Sequence, residues 1–369
     1  MKNPISLVRT AVVAAICLTT VATLSAQTIV KDYEPGVSKE GITYFLPKTV
    51  IKVSVTTVKT TYTPGDLCKY ADRYMRLQGI SDQAETHHEL KAVSVRYGAV
   101  ADETKAYHIA FNTNSLAPQV QLSEDGILLA IRTENNLLAS IEATDAQETH
   151  SNAKDAHNYM TEEMLMATSK AKLAELVAKE IYEIRESKNS LIKGESEYMP
   201  ADGAGLKIMV QNLEDQETAL LQLFTGTTVD ETTTRTIDVV PDGNLSDFVV
   251  ARFSRKLGLV DADNMAGAPI YMDVKSLGQQ PMATADEANG AITIASAPKK
   301  AKSYDGVVYN IPVKASVNVR FGKTVYVDDK VSIAQFGSTE TLSNKLFTKK
   351  ATTRVVFDPL TGSLSKIEE

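Results

Sequence analysis

Apolar and polar residues alternate in short stretches near both ends of the chain. In TVIKVSVTTVK (residues 49–59) Ile51, Val53 and Val55 alternate with polar residues, and IPVKASVNVRF (residues 311–321) shows the same period. A period of two places the apolar side chains on one face of a strand. Similar patterns predict strands at residues 90–100, 107–111 and 127–132 and several more after Thr227.

The period changes to three and four residues in the middle of the chain. This spacing predicts a long amphipathic helix that ends near Gly194, and its apolar face comprises Met160, Met164, Ala167, Ala171, Ala174, Val177, Ile181 and Ile184. A second helix is expected from Asp202, as the N-cap, to Gly226, and we expect it to bury Leu206, Met209, Leu213, Leu220 and Phe224. Two such helices joined by a short turn predict an antiparallel hairpin.

A shorter helix is expected directly after the first predicted strand. Thr63 can act as its N-cap with Pro64 in the first helical position, and the helix would run to about Leu77. We expect it to bury Leu67, Ala71 and Tyr74 along one face. The polar residues 133–155 are interpreted as a loop or linker.

These patterns predict an α+β fold. The N-terminal and C-terminal regions are β-rich, the latter as a sandwich or barrel, with a long central antiparallel helical hairpin between them. The predicted division is a signal peptide (residues 1–26), a β-rich domain with one short helix (27–150), the helical hairpin (151–226) and a β-sandwich-like domain (227–369).

The N-terminus has the three-part pattern of a secretory signal peptide. Lys2 and Arg9 precede an uncharged apolar run at residues 11–24, and Ser25 and Ala26 follow it. The run is too short to span a bilayer, so we expect cleavage near Ala26 and no transmembrane segment afterwards. The prediction is an exported protein of the periplasm or the cell surface.

The charge of the chain limits the classes of partner it can bind, and its cysteine content limits its disulfide bonds. The chain carries a net charge of -7 and becomes more negative once the two basic residues of the leader are removed. Nucleic-acid binding is therefore not expected, because phosphate neutralisation needs a basic surface. Cys17 lies in the leader, so Cys68 is left alone and an internal disulfide is excluded.

The segment AETHHEL (residues 84–90) is the strongest candidate for a metal site. If a strand begins here, His87 and His88 point to opposite faces, and only Glu89 shares a face with His87. Zinc needs three or four ligands, so the remaining histidines would have to converge on this pair. We predict no metal and no cofactor, unless His87 and His108 lie within about 4 Å of each other beside a carboxylate. The other two histidines are His150 and His157, whose seven-residue spacing puts them about 10 Å apart along a helix.

Motifs of nucleophilic catalysis are weak. G-x-S-x-G and H-E-x-x-H do not occur, and about two S-x-x-K matches are expected by chance in a chain of this composition. The three that occur are Ser169/Lys172, Ser190/Lys193 and Ser363/Lys366. Cys68 has no histidine near it in sequence and is interpreted as a half-buried structural thiol.

Three further clusters have simpler interpretations. DADNMAG (residues 261–267) begins like a calcium loop, but Met265 and Ala266 replace a ligand and the glycine, so a turn is expected. Gly203 and Gly205 do not follow a predicted strand, which disfavours a phosphate loop. The acidic residues near the hairpin tip are interpreted as a solvated face, and they are Glu183, Glu186, Glu195 and Glu197.

Several segments resemble, in the same order, an uncharacterised family of exported proteins from Bacteroidales known as domain of unknown function 4831. The segments are TYFLPKTVIKVSV, TYTPGDLCKYADRYM, IYEIRESKNSLIKGESEYMPADG, LFTGTTV, VVYNIPVKASV, IAQFG and VVFDPLTGSLSKI. The resemblance extends from about Tyr44 to Ile367. It implies an envelope or extracellular protein of an anaerobic gut-type bacterium, and it carries over no catalytic residue.

The leading functional hypothesis is a non-catalytic interaction or structural module of the envelope, with a protein or envelope component as partner. An enzyme is less favoured, and its most plausible form is a metal-independent hydrolase that uses dispersed carboxylates. A cleft with two carboxylates about 5 to 10 Å apart would favour the hydrolase. A third hypothesis is peptide or glycan binding along an exposed sheet edge.

Overall fold

The computed structural model describes residues 29–33, 41–110, 120–132, 147–196, 203–278, 303–304, 306–343, 346 and 353–368. Strands outnumber helices, which confirms that the chain is β-rich. The described strands are β1 (Ile29–Asp32), β2 (Gly41–Thr63), β3 (Glu85–Ala110), β4 (Val120–Leu122), β5 (Leu128–Ile131), β6 (Gln147–Ser151), β7 (Thr227–Val239), β8 (Leu245–Ser254), β9 (Gly258–Val260), β10 (Ala268–Ser276), β11 (Ser303–Tyr304), β12 (Gly306–Phe321), β13 (Thr324–Ser343), β14 (Arg354–Phe357) and β15 (Leu364–Glu368).

The described α-helices are α1 (Ala71–Met75), α2 (Glu162–Leu165), α3 (Lys170–Lys193) and α4 (Gly203–Thr225). Within these ranges, no helix has the length and apolar content that crossing a membrane requires. The predicted signal peptide at residues 1–26 lies outside the described residues.

A pair of very long antiparallel strands, β2 and β3, runs through the whole molecule. Their pairing extends from Gly41 with Ala110 to Tyr62 with Glu85. At about 3.3 Å per residue, the 23 residues of β2 span roughly 75 Å. The predicted strands 90–100 and 107–111 correspond to parts of β3 as far as Ala110, while residue 111 lies outside the described residues. A bulge between Asp102 and Ala106 accommodates the polar residues between the two predicted strands.

Two sheets pack face to face in the middle of the molecule. The six-stranded sheet has the order β11-β1-β3-β2-β7-β6, and the five-stranded sheet has the order β13-β12-β10-β8-β9. The alternating residues of β2 point into the core between them, as predicted. The fully buried residues of this core include Ile51, Val53, Val55, Ile270, Met272, Val274, Ala315, Val317, Val319 and Ile333.

The sheets do not follow the predicted division of the chain. β7 belongs to the predicted C-terminal domain but pairs with β2 from Thr63 back to Ile51. The third sheet, of order β15-β14-β5-β4, also combines strands from both ends of the chain. The sandwich therefore takes one layer largely from each β-rich region, since strand pairing depends on complementary apolar faces rather than on sequence distance. Whether the predicted segments fold separately stays a prediction.

A second core lies where β2 begins. The four-stranded sheet packs there against the ends of β2, β3 and β12. Tyr44 is fully buried, and its hydroxyl donates to Val308 O at 3.2 Å and accepts from Val308 N at 3.0 Å. Buried hydroxyl groups require such partners, so Tyr44 fixes the position of β12 on β2.

A third core lies at the opposite end of β2 and is helical. Leu67 and Ala71 are buried there, as predicted, and they pack against the long helices, whereas Tyr74 is only partly buried. The predicted helix start was wrong. Thr63 is the last residue of β2 and pairs with Thr227, so the helical turns begin only at Cys68 and end at Arg76, which adopts a left-handed conformation.

The long helices α3 and α4 form where the periodicity predicts them. The predicted first helix is divided, because Ser169 caps α3 by accepting a hydrogen bond from Lys172 N. Gly194 and Gly226, with φ angles of 74° and 78°, follow the two helices in the left-handed region. The segment between the helices, with Glu197 and the predicted cap Asp202, lies outside the described residues. β6 also replaces part of the predicted loop 133–155, of which residues 133–146 are not described.

A layer of buried polar groups separates the first two cores. Asn310 is 1% exposed, and its Nδ2 donates to Pro47 O at 3.0 Å and to Thr361 O at 2.9 Å. Thr49 N donates to Gln335 Oε1 at 2.9 Å, while Gln335 Nε2 donates to Thr49 O at 2.9 Å. These bonds attach the C-terminal turn and β13 to β2.

Candidate functional site

The two adjacent histidines lie within β3 and face opposite ways. His87 is paired with Thr60 and His88 with Lys59. His87 Nε2 is 3.9 Å from Glu89 Oε1 on one face. On the other face a Cβ at Gly258 would lie 2.8 Å from His88 Nδ1, so the imidazole packs against the β9 backbone. Burial, together with Lys59 and His87, lowers the pKa of His88 below its ordinary value.

The remaining histidines do not join this pair. His108 is in register with Thr43, twenty-one residues along β3 from His87, and its Nδ1 is 3.2 Å from Thr43 Oγ1. His150 lies in β6 and His157 in a short 3-10 helix. Among the described residues, no three His, Cys, Asp or Glu side chains are grouped so that they could hold a metal ion.

One polar groove, of about 580 Å³, lies beside the base of α4; we call it the basal groove. Gln222 builds its floor, because its Oε1 accepts from Lys154 N and its Nε2 donates to Asn152 O. Its charged lining comprises Lys154, Lys188, Glu214, Asp215 and Glu217. Three carboxylates, those of Glu214, Asp215 and Glu217, thus line one groove.

Cations hold the carboxylates of the basal groove. Arg185 Nε and Lys188 Nζ lie 2.6 and 2.8 Å from the Glu217 oxygens. Burial acts to raise the pKa of Glu217, but these two hydrogen bonds outweigh it and lower the pKa. Hydrogen bonds from Lys154 and Gln211 likewise lower the pKa of Asp215. Because both carboxylates are ionised at neutral pH, neither has the proton that a general acid needs.

A second groove, of about 740 Å³, lies between the far ends of α3 and α4; we call it the distal groove. The glutamates on its rim are Glu183, Glu186 and Glu195, and the apolar side chains that line it are Leu191, Met209 and Leu213. Three members of the predicted acidic cluster are exposed to solvent, as predicted, and they also line a concavity. Of the apolar stripe predicted for the second helix, Leu220 and Phe224 are buried as expected, whereas Leu206 and Leu213 are only partly buried and Met209 is 38% exposed.

The far half of α4 is poorly covered. None of the residues 203–218 is buried, although several are apolar. Ile208 is 62% exposed and Met209 38%, and Ile192 at the end of α3 is 64% exposed. Apolar surface that is left exposed in this way is available for an interaction with a partner.

The residues of the three S-x-x-K matches have the following positions and contacts. Ser169 caps α3, and Ser363 Oγ is 2.9 Å from Thr361 Oγ1 in the C-terminal turn. Lys172 pairs with Glu175 and Lys366 with Glu368. Ser190 lines the distal groove; its predicted companion, Lys193, is the last residue of α3.

The remaining candidate residues from the sequence lie in turns or at the start of a helix. Cys68 is partly buried in the 3-10 turn before α1. Asp261 pairs with Arg235 at 2.8 Å, and Asp261 O accepts from Asn264 N, so DADNMAG forms the expected turn between β9 and β10. Gly203 and Gly205 open α4, directly after undescribed residues.

Comparison with known proteins identifies the family. The family described as Domain of unknown function (DUF4831) matches residues 40–365. The chain belongs to the DUF4831 family. No curated protein matches the chain, and no solved structure does. The matched range of this DUF4831 chain includes the first and third cores, the second core except for Val30, and both grooves.

Four of the segments that carry the resemblance meet in the buried polar layer of this DUF4831 protein. TYFLPKTV contributes Pro47 and Thr49, VVYNIPV contributes Asn310, IAQFG contributes Gln335, and FDPLTGSL contributes Thr361. Their contacts are internal hydrogen bonds between buried groups, which join strands. These four segments therefore help to join the strands of the fold.

Proposed function

We propose that this DUF4831 protein is an exported, non-catalytic interaction module of the bacterial envelope. In this proposal α3 and α4 form an antiparallel docking hairpin, and the partner is a protein or another envelope component. The N-terminal leader pattern supports export to the periplasm or the cell surface. The observation that carries the proposal is the exposure of Ile208 and Met209 on a helix half that buries no side chain.

The order of the ion pairs supports the antiparallel arrangement. Arg185 pairs with Glu217, while Lys188, one turn further along α3, also reaches Glu214, one turn earlier in α4. The third core covers only part of these helices, and residues 203–218 of α4 are not buried by it. Their remaining apolar surface is available to a partner.

The alternative is a metal-independent hydrolase, which the carboxylates of the basal groove favour. The low pKa values of Asp215 and Glu217 count against it, because glycoside hydrolysis needs one protonated carboxyl group. A turnover that Glu217→Gln abolishes would replace the interaction proposal with this alternative.

Site-specific photo-crosslinking tests the docking proposal. The full chain, with a photoreactive residue in place of Ile208, is expressed in the bacterium from which it comes. Irradiation should crosslink it to one partner and give a discrete adduct. The matched control is the same residue at Val325, which is 53% exposed on β13 and lies outside the helices. Met209→Ala should lower the yield of the Ile208 adduct. Identical adducts from both positions, or none from Ile208, would refute the proposal.

A further inference from the structure

The carboxylates of the distal groove differ from those of the basal groove in their partners. Lys179 Nζ lies 3.5 Å from Glu183 Oε1. Within the described part of the chain, Glu186 and Glu195 form no ion pair, and no lysine or arginine lines this groove. In the basal groove, by contrast, Asp215 and Glu217 each contact a cation.

The distal groove also has an apolar floor. Leu191 is 5% exposed, Leu213 is partly buried, and Met209 is 38% exposed at the opening. A flexible methionine at the edge of a concavity adapts to the shape of an incoming apolar side chain. The groove thus offers one apolar contact surrounded by negative charge.

We propose that the distal groove binds a cationic amphipathic segment of a partner protein, an inference that rests on the docking function proposed above. An apolar side chain of the segment contacts Met209 and Leu213, and flanking lysines or arginines approach Glu186 and Glu195. This arrangement corresponds to recognition of an amphipathic helix in a groove. Opposite charges at the rim also speed association and exclude anionic partners.

The charge of the chain argues against a second copy as the occupant. Its net charge is -7, so a self-association that covers the acidic rim brings together two negative molecules. Like charges facing each other across an interface oppose binding. A cationic segment neutralises the same carboxylates.

A direct binding measurement with defined probes tests the inference. The probe is a fluorescent, synthetic helical peptide of leucine and lysine, and its counterpart has glutamate in place of every lysine. The protein is the full mature chain, and the readout is fluorescence anisotropy at low and at physiological salt. The groove variant is Glu186→Gln/Glu195→Gln, and the matched control Glu103→Gln/Glu124→Gln removes two exposed glutamates outside the helices.

The lysine peptide should bind, and the glutamate peptide should not. The groove variant should weaken binding about three- to tenfold, as expected for two partly solvated ion pairs, while the control variant changes it less than twofold. The affinity should fall as salt rises, because the Debye length shortens to about 8 Å at 0.15 M salt. Met209→Ala should weaken binding further, with far-UV circular dichroism confirming that the helices are intact.

Equal weakening by the groove and control variants would overturn the inference, since it would show attraction to overall charge. Equal binding of both peptides would also overturn it, as would a concentration-dependent dimer that the groove variant abolishes. A specific crosslink from Ile208 together with any of these results would leave the docking function standing and remove only the cationic partner.

Discussion

Substitution of Asn310 by alanine should strongly destabilise the protein, because Asn310 joins three parts of the chain at one buried point. Its Nδ2 donates to Pro47 O in β2 and to Thr361 O in the C-terminal turn, and its own backbone N donates to Gly362 O. Alanine keeps the backbone bond and removes the two side-chain bonds.

The magnitude follows from the two carbonyl groups that lose a donor. Each buried acceptor left without its partner costs about 1–2 kcal/mol, so the free energy of unfolding should fall by about 2–4 kcal/mol. Removal of Asn310 Oδ1 should add little to this loss of stability, because that atom has no hydrogen-bond partner among the described residues. The loss would be a large fraction of the stability of an ordinary domain.

Urea unfolding followed by far-UV circular dichroism measures this change. Tyrosine fluorescence serves as a second probe, because the chain has 14 tyrosines and no tryptophan. Asn318→Ala, in the same strand but only partly buried, is the matched control and should cost less than about 1 kcal/mol. Asn310→Asp keeps the shape of the side chain but removes the donor at neutral pH. If it is as stable as the native protein at pH 7, the reasoning is refuted.

Two further predictions concern other parts of the fold. Glu217→Gln should lower the free energy of unfolding by about 0.5–1.5 kcal/mol at pH 7. The folded-state pKa of Glu217 is lowered, so its contribution is present above the unfolded pKa of about 4.3 and is lost as pH falls through the folded value. Urea titrations at pH 7 and at pH 3 should therefore show a smaller difference between the two proteins at pH 3. Gly337→Ala should cost about 3 kcal/mol or more in thermal and urea unfolding, because its Cβ would lie 1.7 Å from Ile311 O, whereas Gly243→Ala, with nothing within 4 Å, should be close to neutral. Equal stability of the two alanine variants would contradict this packing argument.

Local patterns in the sequence predicted most of the secondary structure. The alternation around Val53, the helical spacing around Val177 and the glycines at 194 and 226 all correspond to observed elements. These signals depend on neighbouring residues only, through the strand and helix periods and the backbone freedom of glycine. At Thr63 the local signal for a helix N-cap is overridden by strand pairing with Thr227. Thr63 therefore extends β2 instead of capping a helix.

The candidate site could not be read from the sequence in the same way. Glu183, Glu186 and Glu195 were visible as an acidic cluster, but only the packing of α3 on α4 places them around Met209. Nor does spacing in the sequence reveal that Arg185 and Lys188 neutralise Glu217, because the contact joins two different helices.

The sequence on its own predicted the β-rich composition and the long helices, because these depend on residues that are close together in the chain. It also indicated the family. The tertiary structure decided which strands share a sheet and which carboxylates remain unpaired. Thr49 and Gln335, 286 residues apart, exchange two hydrogen bonds in the buried layer, and no local pattern encodes that meeting. Such contacts depend on the simultaneous fit of apolar faces and buried polar groups across the whole chain, so only the folded molecule shows them.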